Sequence, residues 1–230
     1  MGNGLQLTRP GERVEMDEHT IDLMTLMHSS NLWRLMTDVE RHVVGLNSST
    51  ARWVLTVALC ATTRGILGMV ISRGPKATAA IQCLQMIISD KGQWSDAVRA
   101  RGPWDMHLTP ELIVTDNGTA FKSEAFRVAC ADLGISVEHT VAGMPQQRGR
   151  GERWFGTLNM AVSTLSPGRT FSDIATKGDA NPADRAVMTF DDFAFAIVRW
   201  IVDGYTIRRT GGLVVKRPCN AGAVCLRSML

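Results

Sequence analysis

Three carboxylates stand in this chain at positions where their residue types and spacing could do chemistry. Asp116 lies in Val114-Thr115-Asp116-Asn117-Gly118-Thr119-Ala120-Phe121, and Glu152 in Gly149-Arg150-Gly151-Glu152-Arg153-Trp154, with 35 residues between them. Asp17 follows Val14-Glu15-Met16 near the N-terminus. Two acids on strands and one reaching in from a helix can hold a pair of divalent ions roughly 3.5–4 Å apart, the arrangement that carries in-line phosphoryl transfer. Mg²⁺, or Mn²⁺ in its place, takes hard oxygen ligands and keeps several waters, so a few carboxylates suffice. Asp17 would bridge the two ions, with Asp116 and Glu152 each completing one. Taken singly, each acid also reads as a cap, a turn residue or a solvated charge. The joint pattern points to DNA cutting and joining.

The elements that must position these acids can be read from periodicity. Residues 12–27 begin with alternation and form a strand carrying Asp17. Trp53–Leu59 and Ile66–Ser72, separated by Arg64-Gly65, form a hairpin of apolar strands. Between the first strand and this hairpin, Leu32–Val44 has helical character and closes in a loop cluster at residues 45–49. Pro75 opens a helix over Ala77–Asp90, with Ile81, Leu84, Gln85 and Ile88 on one stripe. Pro110–Thr115 is a short strand that ends at Asp116, and Asn117-Gly118 turns the chain. A helix over Ser123–Leu133 stops at Gly134, and Ile135–His139 is another short strand. Gly149–Leu165 is a helix with Trp154, Leu158 and Val162 on one stripe, placing Glu152 in its first turns. Phe193–Tyr205, preceded by a capping pattern at residues 189–192, is the last helix. A meander followed by alternating helices and strands predicts an α/β fold, a mixed sheet with helices on its faces, with the chemistry at the carboxyl ends of the strands.

Bulk properties bound the partners. At 230 residues, 45% hydrophobic and 20% charged, the chain is of ordinary globular composition and long enough for one sizeable core. Its apolar runs are too short or interrupted to span a bilayer, and its N-terminus lacks the apolar region of a secretory signal, so no membrane partner is expected. Five scattered cysteines with no C-x-x-C pair fit a reducing compartment, and the expected location is the cytoplasm, associated with the bacterial nucleoid. The net charge is +3, but its distribution is uneven. From Arg199 onward six basic residues face one acid, Asp203, a net of +5, which leaves the rest at −2. A basic tail on a near-neutral body suits phosphate contact, as it would suit a solvated tail.

At this point the residues match a family. Asp116-Asn117-Gly118-x-x-Phe121, followed by Pro145-x-x-x-Gly149-x-x-Glu152-Arg153-x-Phe155, resembles the retroviral-integrase-like catalytic core of DDE transposases. Residues 10–20 resemble that family's first catalytic strand, and residues 62–68 the junction of its second and third. Among subgroups the chain is most similar to phage Mu-type and related bacterial transposases. The resemblance spans residues 11–165 and implies an RNase H-like, five-stranded mixed sheet flanked by helices. It implies Asp17, Asp116 and Glu152 as catalytic metal ligands, metal-dependent DNA strand cleavage and transfer, and a homo-multimer on element ends and target DNA. It also leaves room for other transposition proteins.

Two departures stand out. Cys60 occupies a strand end where relatives often carry an Asp, and reads as a buried structural thiol. Arg148, Arg150 and Arg153 flank Glu152 where a DNA-contacting Lys is usual, which keeps charge and changes geometry. With Asn117, Lys122, Arg208 and Arg209 these arginines make the candidate DNA-binding set. Asn117 reads equally as a turn stabiliser. His19 shares the strand face of Asp17 and reads as a packing residue or an aide to the site, and His139 as a strand-end residue or a DNA contact. Gln146 and Gln147 are loop candidates for DNA contact, whereas Trp154 and Phe155 read as core anchors. The expected organisation is an N-terminal extension (1–10), the catalytic core (11–166), an irregular linker (167–187), and a C-terminal helix with basic tail (188–230). The alternative reading is a truncated, non-catalytic DNA-binding or assembly fragment of a transposase.

Overall fold

The computed structural model describes residues 6–26, 31–44, 50–140, 149–163 and 188–206. The first strand, β1 (Val14–Leu26), pairs antiparallel with β2 (Thr50–Cys60), from Val14 opposite Cys60 to Leu26 opposite Thr50, with one irregularity between Thr20 and Met24. β3 (Ile66–Ser72) adds antiparallel to β2. β4 (Leu112–Thr115) lies on the other side of β1 and parallel to it, and β5 (Ser136–His139) is parallel to β4. The resulting order, β3-β2-β1-β4-β5, is the five-stranded mixed sheet of the RNase H-like fold.

Strand periodicity divides the core between the two faces. In β2, Leu55, Val57 and Leu59 enter one cluster, while Ala58 and Cys60 enter the other. One face is covered by α3 (Ala77–Ile88), α5 (Thr119–Lys122) and α6 (Glu124–Asp132), which bring Ala80, Cys83, Leu84, Phe121, Phe126 and Cys130 onto Val14, Met16 and Ile113. The other is covered by α7 (Gly149–Ser163), α8 (Phe190–Arg199) and a π-helical turn (Trp200–Thr206). These bury Trp154, Phe155, Leu158, Phe193, Ile197, Ile201 and Tyr205 against Ile21, Leu23 and Leu55. None of the described helices is long and apolar enough to cross a membrane.

Local chemistry explains the element boundaries. The expected single helix over 32–44 is two, α1 (Asn31–Leu35) and α2 (Asp38–Val44). Thr37 breaks it through a capping box: its hydroxyl accepts from Glu40 N–H at 3.3 Å, and Glu40 Oε2 accepts from Thr37 N–H at 2.7 Å. Ser123 caps α6 through Phe126 N–H, and Thr189 caps α8 through Asp192 N–H. Gly134 ends α6 in a left-handed conformation, φ +70°, which lets Ile135 N–H return to Cys130 O and turns the chain into β5. Residues 92–97 form a short helix, α4, that periodicity did not mark. The residue before it, Lys91, is buried, and its ammonium donates to Met86 O (2.8 Å), Ser89 O (2.9 Å) and Met106 O (2.5 Å). It closes the C-terminal end of α3 against the loop that leads to β4. Desolvation pushes its pKa down to about 8.

Candidate active site

The site begins with the parallel pairing of β1 and β4, whose last matched pair is Met16 with Thr115. One residue further on each chain stand Asp17 and Asp116, so the sheet itself makes these two acids neighbours. Adjacent strands lie about 4.8 Å apart. Asp116 follows the carboxyl end of β4, as expected. Asp17 does not sit at a strand end, because β1 runs nine residues past it in its pairing with β2.

Each carboxylate is oriented by backbone. Gly118 N–H donates to Asp116 Oδ1 at 2.8 Å, and Glu18 N–H donates to Asp17 Oδ1 at 2.9 Å. The Asp116 carbonyl accepts from Thr115 Oγ1 at 3.0 Å and faces His139 Nδ1 at 3.2 Å, and that nitrogen is 2.9 Å from Thr115 Oγ1. A proton on Nδ1 satisfies all three contacts at once. His139 therefore braces the turn below Asp116. Asn117 is exposed, and its Nδ2–H donates to Thr140 O at 2.9 Å, tying the end of β4 to the end of β5.

A fourth acid completes the electrostatics. Glu18, half-buried, accepts from Thr56 Oγ1 at 3.0 Å. Burial raises its pKa most, the Thr56 hydroxyl opposes the rise, and the charges of Asp116 and then Asp17 add to it. A carboxyl that feels both acids marks a concentration of negative charge at this end of the β1–β4 pair. Sequence reading passed over Glu18, since consecutive strand residues face opposite sides of the sheet and its bond to Thr56 lies on the face away from Asp17.

The helix α7 closes the site from the other face. Its first turn presses on β1: a Cβ placed on Gly151 would lie 3.8 Å from Asp17 Oδ2. Glu152 follows Gly151 directly, so its backbone enters the helix beside Asp17, and its side chain lies outside the described residues. The positive end of the helix dipole falls where carboxylates gather, which lowers their mutual repulsion. Further along α7, Phe155 stacks on the His19 ring with centroids 4.8 Å apart, and Asn159 Nδ2 is 2.8 Å from His19 Nε2. Trp154 and Phe155 are buried. Asn159, which no sequence motif singled out, faces the same strand as Phe155, as helical spacing permits.

Of the candidate DNA contacts, Arg153 on α7 and Lys122 at the end of α5 are exposed. Arg150 is in the first turn of α7, but its side chain, and Arg148, Gln146, Gln147, Arg208 and Arg209 altogether, lie outside the described residues. Among the described residues no three His, Cys, Asp or Glu side chains are gathered for a metal. The described part of the donor set, Asp17 and Asp116, consists of two carboxylates on neighbouring strands, oxygen donors of the kind a hard divalent cation takes.

A family model described as the TnsB C-terminal domain matches residues 36–168, more than half of the chain. The transposase for transposon Tn552 of Staphylococcus aureus is 25% identical over 169 residues, which cover 71% of this chain and 33% of that protein. The chain thus spans about a third of the length of this curated relative. Among solved structures, a chain from the simian T-cell lymphotropic virus intasome in complex with the PP2A regulatory subunit B56 gamma aligns at 16% identity. Its TM-score is 0.49, over 86% of this chain and 50% of that one. The HTLV-2 integrase catalytic core domain in complex with magnesium aligns at 14% identity and a TM-score of 0.43, over 86% of both chains.

Proposed function

The chain belongs to the TnsB C-terminal domain family, and we propose that it is a catalytic core that cuts DNA and joins the new 3′ end to target DNA. The observation that supports this reading is the pairing of β1 with β4, which makes Asp17 and Asp116 neighbours, with the first turn of α7 against Asp17. In this reading Asp17, Asp116 and Glu152 hold Mg²⁺ or Mn²⁺. The metal supplies charge neutralisation at the scissile phosphate and activation of the attacking oxygen.

The protein's own part is positional. The Gly118 amide fixes one Asp116 oxygen, His139 braces the turn beneath it, and α7 delivers Glu152 to the neighbourhood of Asp17. Arg148, Arg150 and Arg153, on and before the first turn of α7, track the phosphate backbone, joined by Lys122 and by Arg208 and Arg209. Asn117, which donates to Thr140 O and stays exposed at the end of β4, belongs to the same DNA-facing set. The chain acts as a multimer on paired DNA ends, alongside other transposition proteins.

The experiment compares wild type with Asp17→Asn and Asp116→Asn. The substrates are oligonucleotides taken from the DNA on either side of its gene, with Mg²⁺ or Mn²⁺. Nicking and strand transfer should fall by at least about 10³-fold in each variant, since each removes a group acting on transition-state charge, while DNA binding persists. Wild-type DNA binding without nicking or joining would replace this reading with the non-catalytic fragment.

A further inference from the structure

The surface between β1 and α7 is mostly apolar, with Ile21 and Leu23 meeting Phe155 and Leu158 in one cluster. Apolar contact fixes the distance between two elements more firmly than their register, because it has no direction. A directional bond crosses this surface, between His19 and Asn159. We propose that His19 is a positioning residue that locks the register of α7 on β1 and so sets where Glu152 stands relative to Asp17. The proposal rests on the catalytic reading of Asp17, Asp116 and Glu152.

The geometry follows from repeat lengths. Two residues of strand advance about 6.7 Å and four residues of helix about 6.0 Å, so one turn of α7 keeps step with two residues of β1. Gly151 meets Asp17 and, four residues on, Phe155 meets His19 two residues on. Side chains on a helix lean toward its N-terminus, so Asn159, a turn further, reaches back to the same imidazole. The ring is held on its face by Phe155 and at its Nε2 edge by Asn159. Either assignment of the amide and ring protons leaves one hydrogen bond between them. A slip of α7 by one residue would break that bond and carry Glu152 about 1.5 Å along the axis and about 100° around it.

Three variants test the idea: His19→Phe keeps a stacking ring and loses the bond, Asn159→Leu loses it from the other side, and His19→Gln retains hydrogen-bonding groups. Hydrogen exchange is read first, in protein free of metal and DNA. In His19→Phe and Asn159→Leu the α7 amides should exchange at least about tenfold faster, with β2 and β3 unchanged. Mn²⁺ affinity measured by calorimetry should fall about tenfold, the scale expected when a group supporting a metal ligand is lost. Nicking should lose kcat with little change in KM for DNA, and the double variant should be no worse than either single one. His19→Gln should recover most of each loss. Unchanged α7 exchange and Mn²⁺ affinity in both His19→Phe and Asn159→Leu would overturn the proposal. If instead Asp17→Asn and Asp116→Asn leave Mn²⁺ affinity unaltered, the metal site itself fails, and the metal-free exchange data still decide whether His19 holds the helix.

Discussion

Gly118→Ala should disable the site while barely touching the fold. The backbone of Gly118 has φ −58° and ψ 146°, open to any residue, so alanine brings no torsional strain. What it brings is a methyl group 2.8 Å from Asp116 Oδ1, with the other carboxylate atoms at 3.5 and 3.6 Å. Ordinary contact begins at 3.4 Å, so Oδ1 must retreat by about 0.6 Å and lose its hydrogen bond from Gly118 N–H. A lost bond of this kind, with the carboxylate still reaching water, costs about 1 kcal/mol, and alanine at the start of α5 adds only a few tenths. A ligand displaced by even part of an ångström has a much larger effect on chemistry, on the order of 10²-fold. Nicking of end-containing DNA, Mn²⁺ calorimetry and thermal melting are measured together on one preparation. The expectation is a melting point within a few degrees of wild type, with Mn²⁺ binding and nicking both strongly reduced. Adding Gly118→Ala to Asp116→Asn should change nothing further, because the methyl acts only through that carboxylate. Wild-type activity and affinity in Gly118→Ala would refute the assignment of Asp116. A large fall in melting point would show that the turn, and not the carboxylate, yields to the methyl.

Three further substitutions concern the scaffold. Gly68→Ala should destabilise by about 1–3 kcal/mol, since its methyl would stand 2.8 Å from the Cys83 carbonyl and force α3 off β3. Gly156→Ala, with nothing within 4 Å and a helical setting in α7, should stabilise by about 0.5–1 kcal/mol; chemical denaturation reads both. Lys91→Met should cost about 2–4 kcal/mol at pH 7 by stranding the carbonyls of Met86, Ser89 and Met106. The folded pKa of Lys91, about 8, lies below its ordinary 10.5, so above pH 8 the unfolded chain binds the extra proton and wild-type stability gains with pH. The gap to Lys91→Met should therefore widen by about 1 kcal/mol from pH 8 to 9. Cys83 and Cys130, whose buried thiols titrate above their ordinary range, work in the opposite sense, so only the difference between the two proteins isolates the lysine.

Much of the framework was legible because it is written in local patterns. Alternation at the start of β1, the apolar runs of β2 and β3 and the stripe of α3 each follow from how a single element is buried, which the chain must encode within a dozen residues. The turn at Asp116 was legible for the same reason, since Asn117-Gly118 is a local device. The break at Thr37 was equally local, and its capping box with Glu40 is visible in the sequence, although the apolar stripe over 32–44 masks it. Lys91 could not be read, because its neighbours Asp90 and Gly92 look like a solvated loop. What buries it includes a carbonyl fifteen residues away.

The same distinction divides the site. Spacing singles out Asp17, Asp116 and Glu152 as acids of interest, but it cannot set one against another, because their approach depends on how separate elements dock. The β1–β4 pairing does this for the two aspartates through a backbone ladder, a device that tolerates almost any side chains at the paired positions. No ladder joins β1 to α7. Side chains alone must set that register, and those that do are a glycine that lets the helix close on Asp17 and a histidine whose partner is 140 residues away. A glycine at 151 and an asparagine at 159 look unremarkable beside Glu152 in the sequence, and become informative only when the strand they meet is known. The acids that do chemistry are conspicuous in the sequence because their type is constrained. The residues that hold them in place are inconspicuous, since any pair that bonds across the same gap would serve, which is why His19→Gln is expected to retain function where His19→Phe does not.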